Sequence, residues 1–320
     1  MYNYDKKMPR VSVIIPVYNG SNFLKHSIDC AISQTYSNIE IIVVNDGSTD
    51  NGETENIALS YGNKIKYFYK TNGGVSSALN FGIEMMTGEY FSWLSHDDGY
   101  SDTKIADSVE LLRKSNKLDG TCVAFTGGYF INISGQKIKE FNTCFKSDRL
   151  YSGFDVVNVM TKKGTLNGCC MLIPRKAFCD AGGFDERLRY SQDSLMWYEI
   201  FLSGYSLLCD NKRNVMYRLH RKQASQTRRD LYEHDAKIIA ELLADKLLLA
   251  DKTGNMLCGY IKRLTKYNTK DAVEYLYDFA KKNGCLSFKK EVSLNIARIF
   301  GYFRYHAVSK LKRILIAFKK

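Results

Sequence analysis

Short β-branched runs alternate with helical apolar stripes through the first hundred residues. Arg10 leads into Val-Ser-Val-Ile-Ile-Pro-Val (Val11–Val17), the pattern of a strand buried on both faces, and Pro16, which has no N–H to donate, marks its end. Tyr18-Asn19-Gly20 is a turn, and Ser21 or Asn22 caps a helix over 23–34 whose Phe23, Leu24, Ile28, Ala31 and Ile32 recur at helical spacing. Ile39–Val44 is a second buried strand that stops at the polar loop Asn45–Asp50. A helix from 50 or 51 to 61, a third strand over 65–69 and a helix running to about Met86 follow. This order demands parallel strands joined by right-handed crossovers.

Tyr90–Leu94 is a further apolar run, and it ends in Ser95, His96, Asp97, Asp98 and Gly99. Beyond it the spacing predicts a helix over 101–114 and a short strand over 123–125. A hairpin over 127–138 turns at Asn132–Gly135. Another apolar run covers 166–174, a turn lies at 182–186, and a helix covers 192–203. Two closing strands are expected at 207–210 and 215–219. Residues 139–165 have weak periodicity and are expected to mix helix and loop. From about Leu231 the texture becomes all-helical, with helices over 232–250, 254–264, 269–282 and 288–317. The reading is an α/β domain over 1–228, with a nucleotide-binding half at 9–100 and an acceptor half at 101–228, followed by a helical region over 229–320.

Composition narrows the class. At 320 residues, 45% hydrophobic and 25% charged, the chain has an ordinary globular balance, and no run reaches the roughly 18 to 20 apolar residues that cross a bilayer. Met1–Met8 is polar and does not resemble a cleaved targeting segment. Nine scattered cysteines, never spaced Cys-x-x-Cys, suit a reducing compartment and argue against a disulfide scaffold or a zinc site; Cys169 and Cys170 read as packing. Sixteen Lys and Arg against five Asp and Glu lie between Asp251 and Lys320, so this tail carries eleven of the twelve net positive charges. With aromatic and aliphatic residues between the cations, and no acid after Glu291, the last segment reads as a helix on an anionic membrane surface, or one packed on the body of the protein or on a second subunit. No nucleic-acid-binding module accompanies the charge.

The candidate chemistry gathers at the carboxyl ends of the first strands, the edge where open α/β sheets bind ligands. Asp97 and Asp98 arrive there together, and Gly99 permits a turn. One carboxylate can hold a Mg²⁺ or Mn²⁺ ion and the other a polar part of the same ligand, unless the pair is only a solvent-facing turn. Asp46, in the second strand's terminal loop, either hydrogen-bonds a base or ribose or closes an Asx-turn. Lys70–Asn80 is a glycine-rich helix entrance suited to anionic or highly polar ligands, with Asn80 on the face of Ser76. Neither Gly-x-x-x-x-Gly-Lys nor Gly-x-Gly-x-x-Gly occurs, so classical nucleotide loops are absent.

Taken in order, Val11–Gly20, Ile41–Asp50, Gly73-Gly74 with Asn80, Trp93–Asp98, Gly182–Glu186 and Gln192-Asp193 resemble the family 2 glycosyltransferases over residues 9–225. The resemblance implies a GT-A-like open, mostly parallel sheet flanked by helices and inverting transfer from a nucleotide sugar. It places Asp46 on the nucleotide base and lines the nucleotide pocket with Pro16, Val17 and Tyr18. It also puts Ser95, His96, Asp97 and Asp98 in a metal motif that often reads Asp-x-Asp-Asp. Ser95 takes the first acidic position, which leaves open which of Asp97 and Asp98 binds the metal and which meets the ribose. Asp193 is implied as the general base.

Some relatives carry Tyr-Arg-x-His where this chain has Tyr217–His220. That implies Arg218 and His220 near the donor, with His220 a metal ligand or a diphosphate donor, and Arg221, Lys222, Ser225 and Arg228 on a closing loop. The missing Gln-x-x-Arg-Trp motif favours transfer of a single sugar.

The expected activity is therefore transfer of one hexose or N-acetylhexosamine from a UDP-sugar, with Mn²⁺ or Mg²⁺, to a hydroxyl of a surface polysaccharide or lipid-linked glycan. The expected location is the cytoplasm or the inner face of the cell membrane. The rival readings are a nucleotide-sugar or glycan binding module without catalysis, for which Ser95 speaks, and a nucleotidyltransferase.

Overall fold

A computed structural model describes residues 8–141, 144–221, 223, 231–267 and 269–301. The chain divides into two compact units, one of residues 1–156 with 166–223 and the other of 157–165 with 224–320. Lys222, Ser225 and Arg228, expected on a closing loop, lie outside the described residues, as does everything after 301.

The first unit opens as the apolar runs require. β1 (Val11–Val17), β2 (Ile39–Asn45), β3 (Lys66–Tyr69) and β4 (Tyr90–Trp93) alternate with α1 (Leu24–Ile32), α2 (Glu53–Leu59) and α3 (Val75–Met85). β1 pairs in parallel with β2 from Val11↔Ile39 to Val17↔Asn45 and with β4 from Val11↔Tyr90 to Ile14↔Trp93. Pro16 is thus the penultimate residue of β1, where only β2 still runs alongside, so its missing N–H is tolerated. All of β1 and β4 is buried.

The second half of this unit is mixed. It contains β5 (Gly99–Tyr100), α4 (Lys104–Lys114), β6 (Cys122–Ile131), β7 (Lys137–Phe141), β8 (Leu150–Tyr151) and α5 (Gly153–Lys163), whose residues from Val157 onward group with the second unit. β9 (Met171–Pro174), α6 (Arg175–Ala181), α7 (Gln192–Leu202) and β10 (Ser206–Arg218) complete it. The sheet order is β3-β2-β1-β4-β9-β6-β10-β5, with β7 on β6 and β8 on β10. β9 runs antiparallel to both β4 and β6, while β6 and β10 are parallel.

Two local differences from the sequence pattern have physical reasons. The expected closing strands are one strand, β10, whose register shifts between Cys209 and Val215, where the Asp210 carboxylate accepts the Lys212 N–H at 3.0 Å and shapes a bulge. The expected hairpin begins earlier, at Cys122. Gly128 allows its strands to close: a Cβ there would lie 2.3 Å from the Val215 carbonyl oxygen and 2.5 Å from the Phe141 ring. α7 buries Leu195, Met196, Trp197, Tyr198, Ile200 and Phe201, so it is a core helix, and Trp197 anchors it through a 3.1 Å bond to the Leu166 carbonyl.

The second unit contains α8 (Leu231–Ala250), α9 (Asn255–Leu264) and α10 (Lys270–Lys282), close to the expected spans, and a helix over 288–301, while the remainder of the helix expected to 317 lies outside the described residues. α8 contributes Ile239, Leu243 and Leu247 to its core, and α10 contributes Val273 and Leu276.

At the amino end of the parallel strands a buried carboxylate fixes the frame. Glu40 on β2 accepts from Ser12 on β1, from Lys66 at 2.6 Å, and from the backbone N–H groups of Thr87 and Gly88 at 2.6 and 3.0 Å. Burial alone would raise its pKa, but these donors outweigh burial and hold it at about 2. A folded pKa below the unfolded 4.5 stabilises the protein above pH 4.5, and that stability is lost as pH falls toward 2. Glu40→Gln is therefore expected to cost about 2 kcal/mol at neutral pH and to flatten the acid limb between those values, as read by urea unfolding at a series of pH values.

Candidate functional site

Where β2 ends, Asp46 is almost fully buried and its carboxylate is filled by the next loop. Oδ1 accepts from Lys70 Nζ at 2.9 Å and the Gly73 N–H at 3.0 Å, Oδ2 accepts from the Gly74 N–H at 2.7 Å, and the Asp46 carbonyl accepts from Asn72 Nδ2 at 2.8 Å. Gly74 has φ of 88°, which only glycine adopts without strain. The carboxylate that the sequence analysis directs at a base therefore shapes the 70–74 loop that opens α3. Nearby, Pro16 and Val17 are held in β1, while Tyr18 stands 44% exposed beyond its end.

Asn80, expected to meet substrate, grips a different part of the protein. Its Nδ2 donates to the Phe184 carbonyl at 2.9 Å and to Glu186 Oε1 at 3.1 Å, and its Oδ1 accepts the Phe184 N–H at 2.9 Å. This seats the Phe184 ring edge-on to Trp93 and Trp197, with centroids 6.2 and 5.9 Å away. α3 thus positions the turn that leads to Asp193.

The segment between β4 and β5 carries the two neighbouring carboxylates, and the structure divides their work. Asp98 points inward: Oδ1 accepts the Arg218 N–H at 2.9 Å and Oδ2 meets the Cys169 thiol at 3.5 Å, while burial, and then the Asp97 charge, push its pKa well up. Asp97 Oδ2 lies 2.8 Å from His220 Nε2. Of the three residues expected to hold a metal, Asp97 and His220 come together; Asp98 is turned away by its backbone and thiol partners. Among the described residues no group of three or more His, Cys, Asp or Glu side chains is arranged as a metal site. One carboxylate oxygen and one imidazole nitrogen are nonetheless a donor pair that suits Mn²⁺ or Mg²⁺ when a ligand's phosphates and water supply the other positions.

Arg218 is buried and engages the protein rather than solvent. Nε donates to the Asp97 carbonyl at 2.9 Å, and Nη1 donates to the carbonyls of Asn132 at 3.2 Å and Ile133 at 2.9 Å. Its guanidinium lies 4.9 Å from the Phe23 ring, which in turn lies 5.1 Å from the His220 ring. His96 packs on Gly20, where a Cβ would come within 2.5 Å of the imidazole, and burial lowers its pKa. Ser95 Oγ sits 3.5 Å from Cys169 Sγ, so Cys169 belongs to the packing under this loop, as expected from the sequence.

Asp193 is in the first turn of α7, where Oδ1 accepts the Ser194 N–H at 2.8 Å. It keeps partial solvent access, yet the protein crowded around it pushes its pKa up to about 6. Such a carboxylate is ionised at neutral pH and remains a stronger base than an ordinary aspartate.

Sequence reasoning missed Lys70, Phe23 and Lys104. Lys70 had a signal, since it opens the glycine-rich turn. Phe23 reads as an ordinary apolar helix residue, and Lys104 as a solvated one.

The model of the family described as "Glycosyl transferase family 2" matches residues 12–180. The chain is 38% identical over 313 residues to an uncharacterized glycosyltransferase of Rickettsia prowazekii, covering 95% of this chain and 90% of that one. It is 47% identical over 221 residues to an uncharacterized glycosyltransferase of Rickettsia felis, covering 68% of this chain but only 35% of the relative, so it spans about a third of that protein's length. The crystal structure of S. aureus TarS 1-349 in complex with UDP-GlcNAc aligns with a TM-score of 0.66 over 95% of this chain and 91% of the other, at 18% identity.

Asp46→Ala leaves a lysine and two backbone N–H groups without their acceptor. It is expected to lower stability by about 2–4 kcal/mol and to speed amide exchange selectively over 70–76, measured by hydrogen exchange with mass spectrometry.

Proposed function

Because the chain belongs to glycosyl transferase family 2, we propose that it moves one hexose or N-acetylhexosamine from a UDP-sugar to an acceptor hydroxyl, with inversion at the anomeric carbon. The observation that carries this reading is the Asp97–His220 pair beyond β4 in a chain whose family match spans residues 12–180. The TarS structures, one with UDP-GlcNAc and one with UDP, share the fold and motivate UDP as the nucleotide. The acceptor proposed is a surface polysaccharide or lipid-linked glycan.

In this mechanism Asp193 takes the proton from the acceptor hydroxyl as its oxygen bonds to the anomeric carbon. The bond from that carbon to the diphosphate oxygen breaks, and UDP leaves with the electron pair. Asp97 and His220 would hold a divalent cation that neutralises charge on the departing diphosphate. Asp98 and Arg218 keep Asp97 in place from behind. The 70–74 loop, whose N–H groups and lysine are held by Asp46, would border the nucleotide. Binding without transfer is the alternative that Ser95 favours, and the same experiment separates the two.

The base must be ionised, and its pKa is raised, so turnover should fall as pH drops through about 6. Asp193→Asn is expected to reduce transfer at least 1,000-fold and leave UDP affinity within about twofold, measured by product assay and calorimetry. Equal turnover in the variant excludes Asp193 as the base. UDP-sugar binding with no turnover by the wild type on any acceptor favours the binding module.

The helix over 288–301 supports a membrane surface as partner. Leu294 and Gly301 are buried, while Phe288, Val292, Ile296, Ile299 and Phe300 are exposed at helical spacing, in a region whose excess charge is strongly positive. An anionic bilayer meets both features, apolar stripe and cations. The full chain is expected to sediment with vesicles containing phosphatidylglycerol and not with phosphatidylcholine alone. The double variant Ile296→Glu, Phe300→Glu should weaken binding at least tenfold. Concentration-dependent dimerisation without vesicle binding assigns the stripe to a subunit contact instead.

A further inference from the structure

Lys104, the first residue of α4, has no solvent exposure. A lysine ammonium removed from water is costly unless its three hydrogens all find partners. Nζ donates to Ser92 Oγ at 2.6 Å and to the Met171 carbonyl at 2.9 Å, and lies 4.7 Å from the centre of the Tyr100 ring. Both hydrogen-bond partners are neutral, and the Asp210 carboxylate acts on the amine only through space. Burial lowers its pKa to about 7. Around it the network closes: the Tyr100 hydroxyl lies 3.0 Å from Ser92 Oγ and donates to the Trp93 carbonyl.

The partners share a place in the chain. Ser92 and Trp93 are the last residues of β4, and Tyr100 is the last of β5. Between these ends lies the short segment that carries Asp97 and Asp98. Lys104 therefore sits at the neck of that segment, joining its entry and its exit, and the Met171 carbonyl fixes the neck to β9. Further along, Asp97 is tied through its carbonyl to Arg218 and its carboxylate to His220, and Ser27 Oγ lies 2.6 and 2.9 Å from the carbonyls of His96 and Asp98 on either side. The neck and Ser27 are thus the points that fix the backbone around Asp97, and a shift of the neck moves the segment about the Ser27 contacts.

We infer that Lys104 is a positioning residue, which fixes Asp97 opposite His220 by pinning both ends of the 94–98 segment and so sets how well the pair holds the donor diphosphate. The consequence for the donor rests on the proposed transfer reaction; the pinning does not. A lysine that served only the core would act otherwise. Exchanging a buried charged group for an apolar side chain of similar length is often neutral or stabilising, and it would leave the 94–98 segment as it was.

The test compares Lys104→Met and Ser92→Ala with Val109→Ala, a cavity at a buried position further along α4 and away from the neck. Hydrogen exchange of the full chain is read for peptides covering 94–100 and for β1. Both neck variants should exchange at least tenfold faster over 94–100 with β1 unchanged, whereas Val109→Ala should show no selective change there. In the transferase assay, kcat should fall at least tenfold and the Mn²⁺ concentration for half-activation rise at least fivefold, since a misplacement of about 1 Å can cost about 100-fold in rate. Should Lys104→Met fail to fold, Ser92→Ala decides alone. Wild-type protection over 94–100 overturns the inference. So does a loosened segment with kcat and the Mn²⁺ requirement unchanged. If the wild type proves inactive on every donor, the transfer reading fails, and exchange together with Mn²⁺-dependent UDP binding still tests the pinning.

Discussion

The architecture of the site depends on one buried guanidinium. Arg218, at the end of β10, takes the carbonyls of Asp97, Asn132 and Ile133, stacks over Phe23, and through its own N–H fills an Asp98 oxygen. Four pieces of chain meet there: the last turn before α1, the segment between β4 and β5, the β6–β7 hairpin tip and β10. A buried cation of this kind is tolerated because its hydrogens meet carbonyl oxygens and its face meets an aromatic ring. Removing it would take this donor from the carbonyls of Asp97 and Ile133 and cut the tie between the Asp97 segment and the hairpin tip.

That separation explains how so acidic an edge can exist. Asp46 is filled by donors from the protein and anchors the 70–74 loop, and Asp98, which accepts the Arg218 N–H, anchors the end of β10. Asp97 and Asp193 each keep capacity to act on something else. Asp97 is matched with an imidazole, and Asp193 is held in a crowded helix start that raises its pKa. A carboxylate filled by several protein donors is a poor ligand, whereas one met by a side chain, as Asp97 is by His220, can exchange that partner. The proposed roles follow from this difference in partners more than from position in sequence.

Much of the frame is readable in the chain itself. The β-branched runs of β1 and β2 and the stripe of α1 leave little choice but a parallel α/β half, and Gly99 after two aspartates marks a turn at the ligand edge. What local pattern cannot contain is pairing between distant segments. β9 enters antiparallel between β4 and β6, and β6 lies beside β10 some eighty residues later. The partners of Asp46, Asn80, Asp98 and Lys104 all depend on such long-range placement. For Asp46 and Asn80, nothing near them in sequence reveals that Gly74 or Phe184 would fill them. Lys104, which follows Ser101, Asp102 and Thr103, gives no hint that Met171 will be beneath it.

The central claim is that Asp97 and His220 together hold the metal diphosphate of a UDP-linked donor. Calorimetric titration of UDP into the full chain, with and without Mn²⁺, tests it most directly when repeated on His220→Ala. The account requires UDP binding that tightens at least tenfold with Mn²⁺ in the wild type and loses that dependence in the variant. UDP binding indifferent to both the metal and His220, or no UDP binding at all, would contradict it.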